Sequence, residues 1–460
     1  MRRSPLNIFY LKEEIALLFS EELKKTLLDL IDEMAQQKEK FVLRPGKDFT
    51  RNRKQSFQRI IQFIISMEND SIKRELMKYF NFLSDAPTDA AFNLQRGKIK
   101  PSAFEFLFHK FTNRIPDEKN FKGYKLVACD GSSLCIYRNP EDSATYVHQD
   151  GPTRGFNLLH LNALYDLCNR KFLDAFIQPA HQKDERNALL KMIKKSEFLS
   201  PNKTIIIADR GYTSLKLFAY LDKSSLKYLI RFKEAPNKNI AYGIELPDLE
   251  YYDFTTKVFL THQRKKDTLF QKNKTVKYLR RASDLDEFDV IGTNDDIPLT
   301  LRFVRFPLTN DSYEILVTNL SEDEFDINEL RKLYGMRWGI ENSYKELKYA
   351  AGLNGFHSKK REYIEQEIWS KLILYNYGEA VAMRINVERK PNDSKTKYIY
   401  ELNYTTALYL CRLFLKEYTH INAISLETTI EKNILPVRKG RLASRMKRPA
   451  KPASFCYRTS

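Results

Sequence analysis

From about residue 122 the sequence sets short apolar runs and helical repeats in an order that few architectures accommodate. "YKLVACDGS", "FNLLHLNALYDL" and "KFLDAFIQPA" read as three strands, the last two separated by the turn "CNRK". A helix, "DERNALLKMIKKSEF", a strand, "KTIIIADRGY", a second helix, "SLKLFAYLDKS", and a further strand, "LKYLIRFKE", follow. The order β-β-β-α-β-α-β predicts an α/β (α+β) chain whose mixed sheet carries helices on its faces.

Two of these strands share an ending. "LVACDG" and "IIIADRG" each close an apolar run on an aspartate, Asp130 and Asp209, with a glycine within two residues to let the chain turn away. If the strands are neighbours and parallel, both carboxylates meet at one sheet edge. Two bare carboxylates ~4 Å apart repel by about 4 kcal/mol at an effective dielectric near 20, and a divalent cation turns that cost into a binding site. Mg²⁺ takes a few carboxylates together with water and phosphate oxygens, and two such ions clamp both sides of a phosphodiester. Asp-Gly after a strand is also ordinary turn chemistry, so the pair carries more than either acid alone.

A third ligand should come from outside these strands. Glu245 follows Asp209 with 35 residues between them, but "YGIELPDLE" holds a Gly and a Pro and reads as loop or strand. Glu341 is the stronger candidate. In "YGMRWGIENSYKELKY", read as one helix, Tyr334, Arg337, Glu341 and Lys348 fall at offsets 0, 3, 7 and 14, on one face within roughly 60° at about 100° per residue. Leu333, Met336, Ile340 and Leu347 form a separate apolar stripe for the core. Glu341 can then reach a metal, with Arg337 and Lys348 placed for phosphate oxygens on either side of a scissile bond and Tyr334 for a further phosphate. The bland alternative is a surface stripe of i,i+4 salt bridges such as Arg337–Glu341.

The flanks differ in kind. Residues 1 to about 115 carry apolar residues at helical spacing with few Gly or Pro. Within them "LRPGKDFTRNRKQSFQRII" sets Arg44, Lys47, Arg51, Arg53, Lys54 and Arg59 against the single acid Asp48, either a solvated face or a phosphate grip. The whole chain, with 77 Lys and Arg against 59 Asp and Glu, stands at +18, a surplus suited to a polyanionic partner. Residues 235–320 are Lys/Asn/Asp-rich with strand-like pieces and read as a β-rich insertion. Helices resume at "INELRKLYGMRWGIENSYKELKYAAGL"; the segment after about 385, with Leu408, Leu410, Leu413 and Phe414, suits either self-association or the core, and a basic tail closes the chain. Five scattered cysteines without a CxxC argue for reduced thiols and against a zinc site. No run reaches the ~18 apolar residues of a membrane span, and His148, His160, His181 and His357 read as structural or surface residues.

Together these features resemble the DDE transposases of bacterial insertion sequences, family four. The spacing Tyr-x2-Arg-x3-Glu-x6-Lys, here Tyr334, Arg337, Glu341 and Lys348, is similar to that family's signature, and "CDGS" and "ADRGY" resemble its first two acidic boxes. The resemblance implies an RNase H-like mixed-sheet catalytic core (116–234 and 321–385) interrupted by the β-strand insertion (235–320), with a helical DNA-binding region (1–115) and a helical C-terminal region (386–460). It implies Asp130, Asp209 and Glu341 as a catalytic, metal-binding triad for Mg²⁺, two ions with Mn²⁺ able to substitute. Tyr334, Arg337 and Lys348 become DNA-phosphate contacts, and Arg44, Arg51, Arg53 and Lys54 candidate DNA contacts of the N-terminal region. The expected partner is double-stranded DNA, transposon ends and target, held by a homodimer in a paired-end complex in the bacterial cytoplasm, associated with the nucleoid and not with a membrane. Relatives that cut through a hairpin seat a flipped base on a Trp in the insertion; here Trp338 and Trp369 lie outside it, leaving Tyr251, Tyr252 or Phe254 to stack. The competing readings are an RNase H-like nuclease without strand transfer and a non-catalytic DNA-binding protein derived from a transposase.

Overall fold

The computed structural model describes residues 5–51, 53–84, 86–148, 155–233, 240, 244–261, 276–278, 297–309, 312–385, 399–416 and 422–437. Five strands build the centre: β1 (Lys125–Ile136), β3 (Phe156–Asp166), β4 (Lys171–Pro179), β5 (Thr204–Ala208) and β6 (Lys227–Phe232), with a short β2 (Tyr146–Val147) on the outer edge of β3. Their spatial order is β4-β3-β1-β5-β6, antiparallel across β4, β3 and β1 and parallel across β1, β5 and β6. Helices α6 (Glu185–Lys195) and α7 (Leu215–Lys223) make the crossovers between β4, β5 and β6. The fold is the mixed α/β one expected from the strand and helix order.

The strands of the 235–320 segment do not form a sheet of their own. β7 (Tyr252–Thr261), β8 (Val276–Tyr278), β9 (Ile297–Thr309) and β10 (Ser312–Thr318) continue the central sheet in the order β6-β10-β9-β7-β8. β10 returns antiparallel to β6, placing Val317 opposite Ile230. An open edge at β6 would leave a row of unpaired backbone groups, and these strands cover it.

Period-two alternation sorts the strands onto two faces. Val127 and Cys129 of β1, with Ile206 and Ala208 of β5, pack under α6 and α7. On the other face Leu126, Ile205 and Ile207 meet α8 (Ile327–Met336) through Leu330 and Leu333. The same face, farther along, meets α9 (Trp338–Tyr349) and α10 (Arg361–Ala382), and α11 (Tyr404–Leu415) packs on α10. The N-terminal helices α1 (Pro5–Gln36), α2 (Phe57–Ser66), α3 (Ile72–Tyr79), α4 (Asp89–Arg96) and α5 (Pro101–Arg114) share that core. Leu408 and Phe414 of α11 are each 1% exposed within it. A buried ionic cluster crosses it as well: Arg96 pairs with Glu367 at 3.0 Å, and Glu367 also accepts from His357 Nδ1 at 3.0 Å.

Among the described residues Cys129, Cys168 and Cys411 are free thiols. Among the described residues no helix is long and apolar enough to cross a membrane. The basic tail falls outside the described residues.

Candidate active site

Asp130 and Asp209 come together because β1 and β5 are adjacent and parallel, with Cys129 beside Ala208 as their last pair. β5 stops at Ala208 and Asp209 caps the turn that follows, its Oδ1 accepting the Gly211 N–H at 2.8 Å. The turn expected after Asp130 is absent. β1 runs through Asp130 and Gly131 to Ile136, because β3 goes on pairing with it on the other side, Asp130 opposite Ala163 and Ser133 opposite His160. Gly131 serves close approach instead: a Cβ there would collide with His160 Nε2 and stand 2.8 Å from Glu185 Oε1.

The stripe read as one helix is two. α8 ends at Met336 and α9 begins at Trp338, with Arg337 at the joint donating its N–H to Tyr334 O at 3.1 Å. That i→i−3 bond tightens the chain between Gly335 and Gly339, both poor helix formers. Tyr344, one turn past Glu341, fixes α9 to the sheet: its hydroxyl lies 2.9 Å from Asp130 O and 3.1 Å from Leu161 O. Glu341 is thereby held over the end of the two parallel strands. Lys348 reaches β1 itself, donating to Ser132 Oγ at 2.7 Å and Ser133 O at 2.9 Å.

The charges of this group act on one another. Burial pushes the Asp130 carboxyl up to about 6, with Asp209 and Glu341 adding like-charge repulsion and the Gly131 N–H and Arg337 opposing it. Arg337 is buried, donates to Glu341 Oε1 at 2.9 Å, and has its charge reinforced by Glu341 and Asp130 against the cost of burial. Tyr334 is 4% exposed, and burial raises its phenol to about 12. Tyr334 Oη and Arg337 Nε have no hydrogen-bond partner among the described residues. Lys348 is pulled down by burial. The Arg337–Glu341 pair anticipated by the bland reading exists, but Tyr334 and Arg337 lie inside the protein, not on a solvated face.

As a donor set, three carboxylates that repel one another and offer hard oxygens fit a divalent ion such as Mg²⁺. Their arrangement here is not closed: among the described residues no three acidic, histidine or cysteine side chains form a ready ligand cluster. Glu341 is turned to Arg337. Glu245 stands exposed outside any helix or strand of the described residues.

Sequence reasoning missed two neighbours. Glu185, first residue of α6, accepts from His160 Nε2 at 2.9 Å and pairs with Lys183 at 2.9 Å. The His160 bond leads in holding its carboxyl down to about 2, against burial. Its oxygens lie over both acidic boxes, Oε1 against Gly131 and Oε2 3.5 Å from a Cβ position on Gly211. The available signal was the acid-rich start "DER" of the helix after the third strand. Beside Asp209, Arg186, Arg210, Lys216 and Lys233 line a cleft of about 690 Å³. In the N-terminal region Arg51, Arg53 and Lys54 are exposed, while Arg44 pairs with the buried Asp48 at 3.2 Å. Of the candidate stacking rings Tyr251 is 54% exposed, Tyr252 is buried and Phe254 packs on the core.

The fold and the site define an α/β protein with acidic side chains gathered at the edge of parallel strands and cations beside them. The chain belongs to the transposase DDE domain family, which it matches over residues 121–377, more than half its length; it is a transposase. It is similar to the cryo-EM structure of a piggyBac transposase synaptic complex with hairpin DNA at a TM-score of 0.45 and 9% identity, over 91% of this chain and 84% of that one. No curated protein matches it.

Proposed function

We propose that the chain binds the terminal inverted repeats of a bacterial insertion sequence of family four, cleaves the element ends by metal-dependent hydrolysis and joins the 3′ hydroxyls to target DNA. The observation that carries this reading is the anchoring of Tyr344 at Asp130 O, 2.9 Å away. That contact keeps α9, with Glu341 and Lys348, beside the point where the pairing of β1 with β5 ends. Hydrolysis alone needs the acids; the buried Arg337 and half-buried Lys348 beside them suit holding a strand end while a second strand attacks.

Asp130, Asp209 and Glu341 would hold Mg²⁺, two ions with Mn²⁺ able to substitute, which supplies an activated oxygen nucleophile and neutralises charge on the phosphate. Around it the chain's own groups divide the work. Arg337, between the Tyr334 and Trp338 rings at 5.5 and 5.3 Å, grips a phosphate oxygen through its remaining N–H groups. Tyr334 donates its otherwise unpartnered hydroxyl to another. Lys348, steadied by Ser132, serves the phosphate on the far side of the cleaved bond. Residues 1–115 with Arg44, Arg51, Arg53 and Lys54 read the end, and a homodimer holds two ends in the bacterial cytoplasm at the nucleoid.

The test uses a duplex carrying the inverted repeat that flanks the gene, supercoiled target DNA and Mg²⁺. Cleavage at the repeat followed by a joined product is expected. Cleavage without joining would reduce the protein to a nuclease, and repeat binding without cleavage to a DNA-binding derivative.

A further inference from the structure

A second concave surface lies away from the acids. The turn Leu43–Asp48, the end of α4 from Asn93 to Lys98 and the start of α10 enclose a cleft of about 920 Å³. Its rim carries Arg44, Lys98, Lys359 and Lys360 against one carboxylate, Asp48. Asp48 is 1% exposed and already accepts the Arg44 N–H at 3.0 Å and its guanidinium at 3.2 Å. Lys98 is steadied by Gln95 Oε1 at 2.8 Å and Lys360 by the Tyr363 ring at 5.5 Å, neutral groups that leave the positive charge in place. The acids beneath, Glu75 and Glu367, are buried and engaged with His357 and Arg96.

The cleft is tied to the acidic centre by one strand. Lys359 sits 4.0 Å over the ring of Tyr137, the residue after the last position of β1. Along β1 from Asp130 the order is Ser132 and Ser133, which hold Lys348, then Tyr137, which carries Lys359. Seven residues of extended chain reach at most ~24 Å, the rise of about seven nucleotides at ~3.4 Å each along one strand of a duplex.

We propose that the cleft formed by Arg44, Lys98, Lys359 and Lys360 holds the phosphate backbone of the duplex leading away from the cleaved end, about seven base pairs from the scissile phosphate. The inference rests on the DNA-cleaving reading above and adds a path: out of the acidic centre past Lys348, along β1, and into the cleft toward the exposed Arg51, Arg53 and Lys54. Phosphate contacts of this kind are indifferent to sequence and are read in salt dependence.

The experiment uses the full chain and its Lys98→Ala/Lys359→Ala/Lys360→Ala variant, with the thermal midpoint as the folding control. Fluorescence anisotropy of a 30-base-pair duplex of arbitrary sequence, titrated across salt, should show the slope of log affinity against log salt falling by roughly 2.7, about 0.9 for each lysine. The single variants Lys98→Ala and Lys360→Ala should each take roughly a third of that loss, which keeps the test open if the triple variant misfolds. In a duplex that carries the element end, uncharged methylphosphonate linkages placed six to eight base pairs from the cleavage site should weaken wild-type binding and have little further effect on the triple variant. A wild-type protein that binds no duplex defeats the DNA reading itself. Wild-type binding with an unchanged slope in the variants, or additive losses with the methylphosphonates, defeats the cleft alone. Loss of poly-glutamate binding with duplex binding intact would assign the cleft to an acidic protein segment and overturn the proposal.

Discussion

Asp130 and Asp209 each stand one residue beyond Cys129 and Ala208, the last paired positions of two parallel strands. The parallel register brings these two residues, far apart in sequence, to one edge, and Tyr344 adds Glu341 by holding α9 at Asp130 O. Asp130→Asn, Asp209→Asn and Glu341→Gln are therefore each expected to abolish cleavage of an end duplex while leaving its affinity within about threefold, since phosphate contacts dominate binding. Paired gel-shift and cleavage assays check this. Activity that survives Glu341→Gln but is lost in Glu245→Gln would move the third acid to the loop.

Gly131 has no room for a side chain between β1 and the His160–Glu185 pair. Gly131→Ala should cost about 1–3 kcal/mol through overpacking, measured by urea unfolding without metal. Glu185→Gln keeps the packing and removes the charge. It should weaken Mn²⁺ binding, followed by calorimetry in the absence of DNA, by about tenfold, as loss of a neighbouring carboxylate does elsewhere. Unchanged Mn²⁺ affinity would make Glu185 a packing residue only.

These cases show what the sequence could reveal. The approach of Asp130, Asp209 and Glu341 to one another was legible because each sits on a local pattern, an apolar strand or a helix with a second stripe. Gly131 was misread as a turn because "DG" is turn chemistry locally, and only the β3 partner, read from non-local pairing, keeps β1 extended. The break at Arg337 was hidden by helical periodicity, which persists across a single tightened turn. His160 and Glu185 lie 25 residues apart on elements with no shared pattern; the sheet brings them together. That β10 would join β6 was not legible either, since alternation marks a strand but not the edge it pairs with.

Arg337 and Lys348 differ in what they leave behind when removed. Arg337→Ala strips Glu341 of its 2.9 Å partner next to a half-buried Asp130, so it should impair folding and cleavage together, by about 3–5 kcal/mol if the pair behaves as a buried one. Lys348→Ala loses bonds to Ser132 and Ser133 at the surface of β1. It should fold normally, lower the salt slope of end binding by about 0.9 and reduce strand transfer. An unchanged salt slope and turnover in Lys348→Ala would leave this lysine a structural tie between α9 and β1.

The ionic cluster between α3 and α10 sets an acid limit. Burial works against the charge of Glu75, but His357 and the backbone N–H groups of Asp70 and Glu68, 3.0 and 2.9 Å away, hold it down to about 2. Burial likewise opposes the charge of Glu367, and His357 and Arg96 outweigh it, again to about 2. Both pKa values lie below the ordinary 4.5, so their contribution is complete above about pH 4.5 and is lost as pH falls through about 2. The thermal midpoint should accordingly drop steeply between those values, and Glu367→Gln should flatten that drop while lowering the midpoint at neutral pH. A wild-type midpoint that is level from pH 5 to 2.5 would contradict it.

The helix after residue 385 was open to two readings, self-association or core, and its side chains settle into this chain's own core. Leu408, Cys411 and Phe414 are at most 1% exposed, against α2 and α10, and Leu408 fills the space beside Gly378 that a Cβ would claim. Arg412 donates to Ala351 O at 3.1 Å, just beyond the helix that bears Glu341, and Lys416 pairs with Glu68 at 2.6 Å. Removing one buried Leu or Phe side chain costs about 2–5 kcal/mol, and a whole domain holds only about 5–15. A chain ending near residue 385 should therefore lose cooperative unfolding and bind DNA poorly for lack of structure, before any question of pairing two ends arises. Circular dichroism melting of that truncated chain decides it: a sharp transition with intact single-end binding would return these residues to a role between protomers, where light scattering on the two-end complex could then follow them.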